Sequence, residues 1–330
     1  MPARALSFPV KAAAQKGPSI TLVGSPGSRE DATMIRSQAL ASALLGVTML
    51  LAALSSTGCQ NQVSSSPEDS EAKRVLTERL ELASARGREI HRRDMLGWWA
   101  SDLAQLEPSR LAAVTGWLLD ADDSSAVHFT IEGEAGPATT MIVRCPGSGP
   151  ESCATELFAD PRPLSDRNLA QVRAVATAAK HPEFSPTSER YNHAVLPAEG
   201  SRWWVYLIAA TTDPNLIMLG RHYRFLVSAA GDEVLEWQAF SKSALTIDAR
   251  PSADAGPATT VEFTVTHMLD DIPSEMHVWA ALNYRTNIDV VTGDERIWRV
   301  AADGSITQLE RRGMGVWSKL RPVESVDAPP

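Results

Sequence analysis

Hydrophobic and polar positions follow two different periods along this chain, and the change of period divides it. From Glu71 to His91 the residues Leu76, Leu80, Ala83, Gly87 and Ile90 recur three and four apart, while Arg74, Glu78, Arg79, Glu81 and Arg88 fill the other face. That spacing predicts an amphipathic helix over 71–91. A second helix is expected over 94–105, with Met95, Trp98, Trp99 and Leu103. A third starts at Pro108, a residue suited to a first helical turn, and carries Leu111, Val114 and Leu118 on one side until Asp120, Asp122 and Asp123 end it.

Strand character begins at Ala126. The segments 126–132 and 139–145 flank a Gly-Pro loop, and 154–158 returns after a turn. Pro161 to Pro163 then opens a helix near 164–180, in which Leu169, Val172, Val175, Ala176 and Ala179 are helically spaced. The stretch from Glu183 to Ser201 reads as a long loop. Trp203 to Ala210 is apolar throughout, the pattern of a central strand covered on both faces. Strands follow over 222–229, 234–240, 259–269, 275–284, 288–292, 296–300 and 305–309, separated by short Gly and Asp turns that favour antiparallel meander pairing. Ala135-Gly136-Pro137-Ala138-Thr139-Thr140 recurs as Ala255-Gly256-Pro257-Ala258-Thr259-Thr260, two comparable entries into strands rather than a duplicated unit.

One stretch belongs to neither period. No charged residue occurs from Ser37 to Pro67, and an apolar run from Ala39 to Leu54 follows the single cation Arg36. The run is shorter than the roughly 20 residues needed to cross a bilayer, and it ends in Ser55-Ser56-Thr57-Gly58 before Cys59. These residues resemble the lipobox signal peptide of bacterial lipoproteins, with Gly58 and Cys59 in the matching positions and Ser56 where a Leu is usual. The resemblance implies cleavage before Cys59, acylation of its sulfur by a palmitate-type chain, and a membrane anchor facing the periplasm. Gln60 after the cysteine resembles the pattern of outer-membrane lipoproteins. Residues 34–58 are then the signal peptide and 59–70 a polar tether. Met34 is the expected start, with 1–33 an upstream extension or disordered.

The formal net charge of −9 argues against nucleic acid and against docking on anionic lipid by charge. With Cys59 acylated, Cys145 and Cys153 remain, flanking a Gly/Pro turn, and an oxidising compartment makes them a disulfide closing a small loop.

Phosphate-binding, dinucleotide, Gly-x-Ser-x-Gly and His-Glu-x-x-His patterns are missing, and no cofactor is implied. The remaining candidate chemistry is His267, Glu275 and His277 as metal ligands, with His222 as a further member. If 259–269 and 275–284 form a hairpin that buries both apolar faces, His267 faces the core while Glu275 and His277 face away, so the trio is not expected to form one site. Asp120, Asp122 and Asp123 lack the spacing of a calcium loop and read as a solvated helix end. Tyr191, Asn192 and His193 in the long loop, with Trp279 on a polar strand face, form a candidate ligand surface.

The sequence therefore predicts an α+β protein: an N-terminal helical segment over 71–122 and an antiparallel β-rich body over 123–330, in one sheet or two layers, with one inserted helix. The body from Trp203 is similar to uncharacterised proteobacterial secreted proteins through Gly220-x-His222-Tyr223-Arg224-Phe225 and Thr266-His267-Met268-Leu269, a similarity that carries no activity. The leading expectation is a lipid-anchored envelope protein that binds a protein or cell-wall partner without catalysis. The alternative is a periplasmic hydrolase or metal-dependent enzyme using His222, Glu275 and His277.

Overall fold

The computed structural model describes residues 67–134, 136–186, 190–211, 213, 215–248, 263–312 and 316–319, and the fold below is that of the unit from Glu71 onward. The signal segment, Cys59 and the second copy of the hexapeptide lie outside the described residues. The architecture is α+β, as expected.

Helix α1 spans Pro67–Ala104, a rod of about 57 Å at 1.5 Å per residue. The two helices expected at its place are one, because the junction Arg92-Arg93-Asp94 contains no helix breaker and Arg93 is drawn inward. Its guanidinium donates to the Val195 carbonyl at 2.6 Å and to Glu89 at 2.6 Å. The expected third helix is reduced to α2, the single turn Pro108–Leu111, and is followed by strand β1, Gly116–Leu119. No described helix is long and apolar enough to cross a membrane.

Strands β2 (Ala126–Gly133), β3 (Gly136–Arg144) and β4 (Ala154–Pro163) complete an antiparallel sheet in the order β1-β2-β3-β4. The C-terminal half of α1 covers it, burying Leu96, Ala100 and Ala104 with Val127, Phe129, Met141 and Val143. Cys145 and Cys153 form a disulfide between β3 and β4, with Cα atoms 4.0 Å apart.

Helix α3 (Asp166–Ala179) matches the inserted helix, capped by the Ser165 side chain on the Asn168 N–H. The long loop predicted after it contains a full strand instead, β5 (Arg190–Pro197). It pairs with β6 (Trp203–Ala210), and β8 (Tyr223–Val227) and β9 (Val234–Ala239) extend the antiparallel sheet to the order β5-β6-β8-β9. The pattern of β6 reads out as expected. Trp203, Val205, Leu207 and Ala209 pack with Ala170, Ala174 and Ala178 of α3, while Tyr206 and Ile208 face the opposite core. A small antiparallel ribbon joins β7 (Leu216–Met218), which lies between β6 and β8 in sequence, to β10 (Thr246–Asp248), which follows β9, and was not anticipated.

The C-terminal part departs most from the expected meander. Strand β11 (Phe263–His267) leads to helix α4 (Glu275–Tyr284), and β12 (Ile288–Thr292) then pairs with β11 in parallel. The hairpin supposed between 259–269 and 275–284 does not exist, so its register argument falls with it. Met276, Val278, Trp279, Ala280 and Ala281 are all buried, and a helix covered nearly all round shows no polar face from which its period can be read. Strands β13 (Ile297–Val300), β14 (Ile306–Arg312) and β15 (Val316–Lys319) complete this sheet antiparallel. Helix α4 shares one core with Ile90 of α1, Tyr206 and Ile208 of β6, and Val265, Val290 and Trp298 of the C-terminal sheet. Gly87 of α1 lies against α4, where a Cβ would stand 2.4 Å from that of Val278 and 2.6 Å from the Glu275 carbonyl oxygen.

Candidate functional site

Helix α4 begins after Ser274, whose backbone N–H donates to Nδ1 of His277 at 3.0 Å. This is the reach-back half of a capping box, with His in the place usually held by Glu or Gln. The His277 ring meets that of His267, at the end of β11, edge to face with centroids 4.9 Å apart, and Nε2 of His267 is buried without a hydrogen-bond partner. Burial, and then the neighbouring imidazoles of His267 and His222, push His277 down to about 3. Burial also lowers His267, against the opposing pull of Asp270 and Glu275.

Glu275 is committed elsewhere. Its Oε1 accepts from the Tyr206 hydroxyl at 3.1 Å and from the Arg224 guanidinium, which also donates to Gln238 at 2.6 Å. His222 is a core histidine satisfied at both nitrogens: Nδ1 accepts from the Ala209 N–H at 3.1 Å and Nε2 lies 3.2 Å from the Met218 carbonyl. That pattern selects the neutral Nε2–H tautomer, and burial pushes its pKa down to about 4. The structure thus brings His267 and His277 together, contrary to the hairpin argument, while the carboxylate that would complete the trio serves Arg224 and Tyr206. Among the described residues no group of three or more His, Cys, Asp or Glu side chains is arranged to hold a metal ion.

The ligand surface expected from Tyr191, Asn192, His193 and Trp279 is interior. Tyr191 is 5% exposed and Trp279 3%, because the supposed loop is β5 and the supposed strand is α4. The His193 ring stacks on Trp117 at 4.4 Å, with Nε2 3.1 Å from the Trp117 carbonyl, and burial pushes its pKa down to about 4.

The centre of this interior group is a residue that the sequence did not single out. Asp94 of α1 accepts from Trp279 Nε1 at 3.1 Å through one carboxylate oxygen and from Asn192 Nδ2 at 3.2 Å through the other. Burial raises its pKa to about 6, against the lowering effect of these two donors. Lone acids on helices are common in sequences, and only the pairing of three distant elements reveals this one.

Asp120, Asp122 and Asp123 do not end a helix but turn the chain between β1 and β2. Asp120 Oδ1 accepts the N–H groups of Asp122 and Asp123 at 2.8 Å each, and Oδ2 meets Asn168 at 2.7 Å and His128 at 2.9 Å.

On the outside, exposed chemistry gathers at one sheet edge. A cleft of about 370 Å³ is lined by Trp237, Gln238 and Ala239 of β9, with Arg221, Tyr223 and Lys242 among its walls. Trp237 is 44% exposed and packs one side of its ring near His181 at 5.9 Å. The Arg221 backbone is left-handed, φ 62°, held by a hydrogen bond from its N–H to the Ser241 hydroxyl at 2.7 Å and by its guanidinium on the Ser185 carbonyl at 3.0 Å. No family model, no curated protein and no solved structure matches this chain.

Proposed function

We propose that this protein is a lipid-anchored component of the bacterial cell envelope, facing the periplasm, that works by binding rather than by catalysis. The observation that carries the binding half is a division of labour among side chains. Glu275, His222, His193 and Asp94 are bonded inside the fold, whereas an exposed tryptophan and charged groups collect along the edge of β9. Acid–base catalysis needs a titratable group within reach of a substrate proton, and the interior groups face one another.

The anchoring half rests on the Arg36 to Cys59 stretch and is supported by the Cys145–Cys153 disulfide, since disulfides persist in oxidising compartments such as the periplasm. Outer-membrane placement follows from Gln60. The partner is an envelope protein or cell-wall component. Metabolic labelling with a radioactive palmitate analogue tests the anchor: label incorporated by the full chain and lost in Cys59→Ser supports it, and equal label in both, or none in either, defeats it.

A further inference from the structure

The cleft beside β9 holds cations that the fold does not neutralise. Arg221 is fixed from several directions: its backbone N–H donates to the Ser241 hydroxyl, and its guanidinium donates to the Ser185 carbonyl at 3.0 Å and the Lys242 carbonyl at 3.4 Å while lying 5.5 Å from the Tyr223 ring centre. All of these partners are neutral. A guanidinium carries five N–H donors, of which two reach carbonyls here, and Nε is buried without a partner. The group is thus held in place with its charge unmatched, whereas Arg224 of β8 is met by Glu275. Lys242, in the same lining, is exposed and has no ion-pair partner among the described residues. Glu183 supplies the single carboxylate of that lining. The balance of two cations against one acid reverses, locally, the sign of a chain whose formal net charge is −9, and such a cleft draws in anions.

We propose that this cleft binds a sugar that carries a carboxylate. Trp237 lies opposite Phe225 and on the same sheet face as Tyr223, and His181 supports one side of its ring. The exposed part of the indole is a platform whose negative face suits the C–H groups on one side of a pyranose ring. Arg221 and Lys242 take the carboxylate, the guanidinium through its planar N–H fork. Glu183 accepts from ring hydroxyls. Each alternative leaves part of the lining unmatched: a neutral sugar leaves both cations without a counter-charge, and an aromatic acid offers Glu183 no hydroxyl and meets it with a like charge. The volume of about 370 Å³ lies at the lower end of the roughly 300 to 1,000 Å³ of small-molecule sites.

The inference rests on the binding half of the reading above and names its ligand. Isothermal titration of the full chain in detergent micelles uses a disaccharide ending in glucuronate and its carboxyl-reduced counterpart ending in glucose. The acid is expected to bind, and the neutral sugar at least about tenfold more weakly, the scale of a lost charge-assisted hydrogen bond. Lys242→Gln, whose side chain makes no contact that the fold needs, should weaken the acid alone, and Arg221→Gln likewise. Trp237→Ala should weaken both sugars, and Lys73→Gln, on α1 and outside the lining, neither. Equal affinity for the two sugars, no binding of either, affinity indifferent to both Lys242→Gln and Trp237→Ala, or benzoate bound as tightly as the sugar acid overturns the inference. None of these touches the palmitate experiment. Mass spectrometry of the disaccharide after incubation separates the two readings: cleavage would defeat binding without catalysis while keeping the ligand, and intact recovery agrees with both.

Discussion

The indole N–H of Trp279 donates to the carboxylate of Asp94 across 3.1 Å, tying α4 to α1 through residues 185 positions apart. The same carboxylate receives Asn192 from β5, so one acid joins three elements. Its pKa of about 6 lies above the unfolded value near 3.9. Such a group favours the fold fully below the lower value and loses that contribution as pH rises through the upper one. Asp94→Asn should remove a contribution on the order of 3 kcal/mol from the dependence between about pH 4 and pH 6. Urea unfolding of both proteins at several pH values across this window reads the difference in slope.

The buried histidines act in the opposite sense. His222 and His193 titrate at about 4 and His277 at about 3, below the unfolded value near 6.5. The unfolded chain therefore takes up protons first, and stability is lost as pH falls from about 6.5 through those values. Three such groups, each worth a few kcal/mol, outweigh the single acid. The protein is expected to unfold on acidification below about pH 5, followed by tryptophan fluorescence.

Gly87→Ala tests the contact between α1 and α4. A Cβ there would stand 2.4 Å from Val278 Cβ and 2.6 Å from a backbone oxygen, which overrides the small gain in helix propensity of Ala over Gly. Overpacking of this kind costs about 1 to 3 kcal/mol, measurable as a lower denaturation midpoint. Combined with Val278→Ala the loss should be less than additive, since the two sites share the contact.

Removing the Glu275 carboxylate leaves Arg224 with its charge unpaired in a setting where its side chain is 19% exposed. Breaking a buried pair from one side typically costs about 3 to 5 kcal/mol, so Glu275→Ala should be among the most damaging substitutions in α4. Replacing Arg224 by Met together with Glu275→Leu should recover part of that loss in thermal unfolding.

Reduction of Cys145–Cys153 should have a smaller effect, at most about 3 kcal/mol, because the closed loop is short. Amide exchange after reduction is expected to rise in β3 and β4 and to change little in β6.

Strand β6 was legible because a continuous apolar run between turn residues has one reading when it is short. So was α3, where polar residues reveal the period. Helix α4 was not legible: its Met276, Val278 and Ala280 satisfy an alternating pattern, and Trp279, taken as part of a polar face, is buried as well, as is Ala281. The start signal was nevertheless present in Pro273-Ser274 followed by His277, hidden because His is an uncommon capping partner. The error carried over to Trp279, placed on a surface that does not exist. Strand β5 was missed because Asn192 and His193 are polar, and their partners Asp94 and Trp117 lie far away in sequence. The pairing of Cys145 with Cys153 was legible because the two flank a short Gly/Pro turn and because the lipobox resemblance removes Cys59 from the count and implies an oxidising compartment.

The length of α1 sets a timetable for synthesis. Its N-terminal half is covered by residues near the other end of the chain: Ser84 binds the Gly304 carbonyl at 2.9 Å and Arg79 binds Asp271 at 2.7 Å, while Ile90 shares a core with Trp298. These partners are made about 200 residues after α1, so the apolar stripe of α1 waits uncovered until the C-terminal sheet emerges. Contacts between distant positions slow folding, and a chain arrested before β13 should be held by chaperones rather than by its own core.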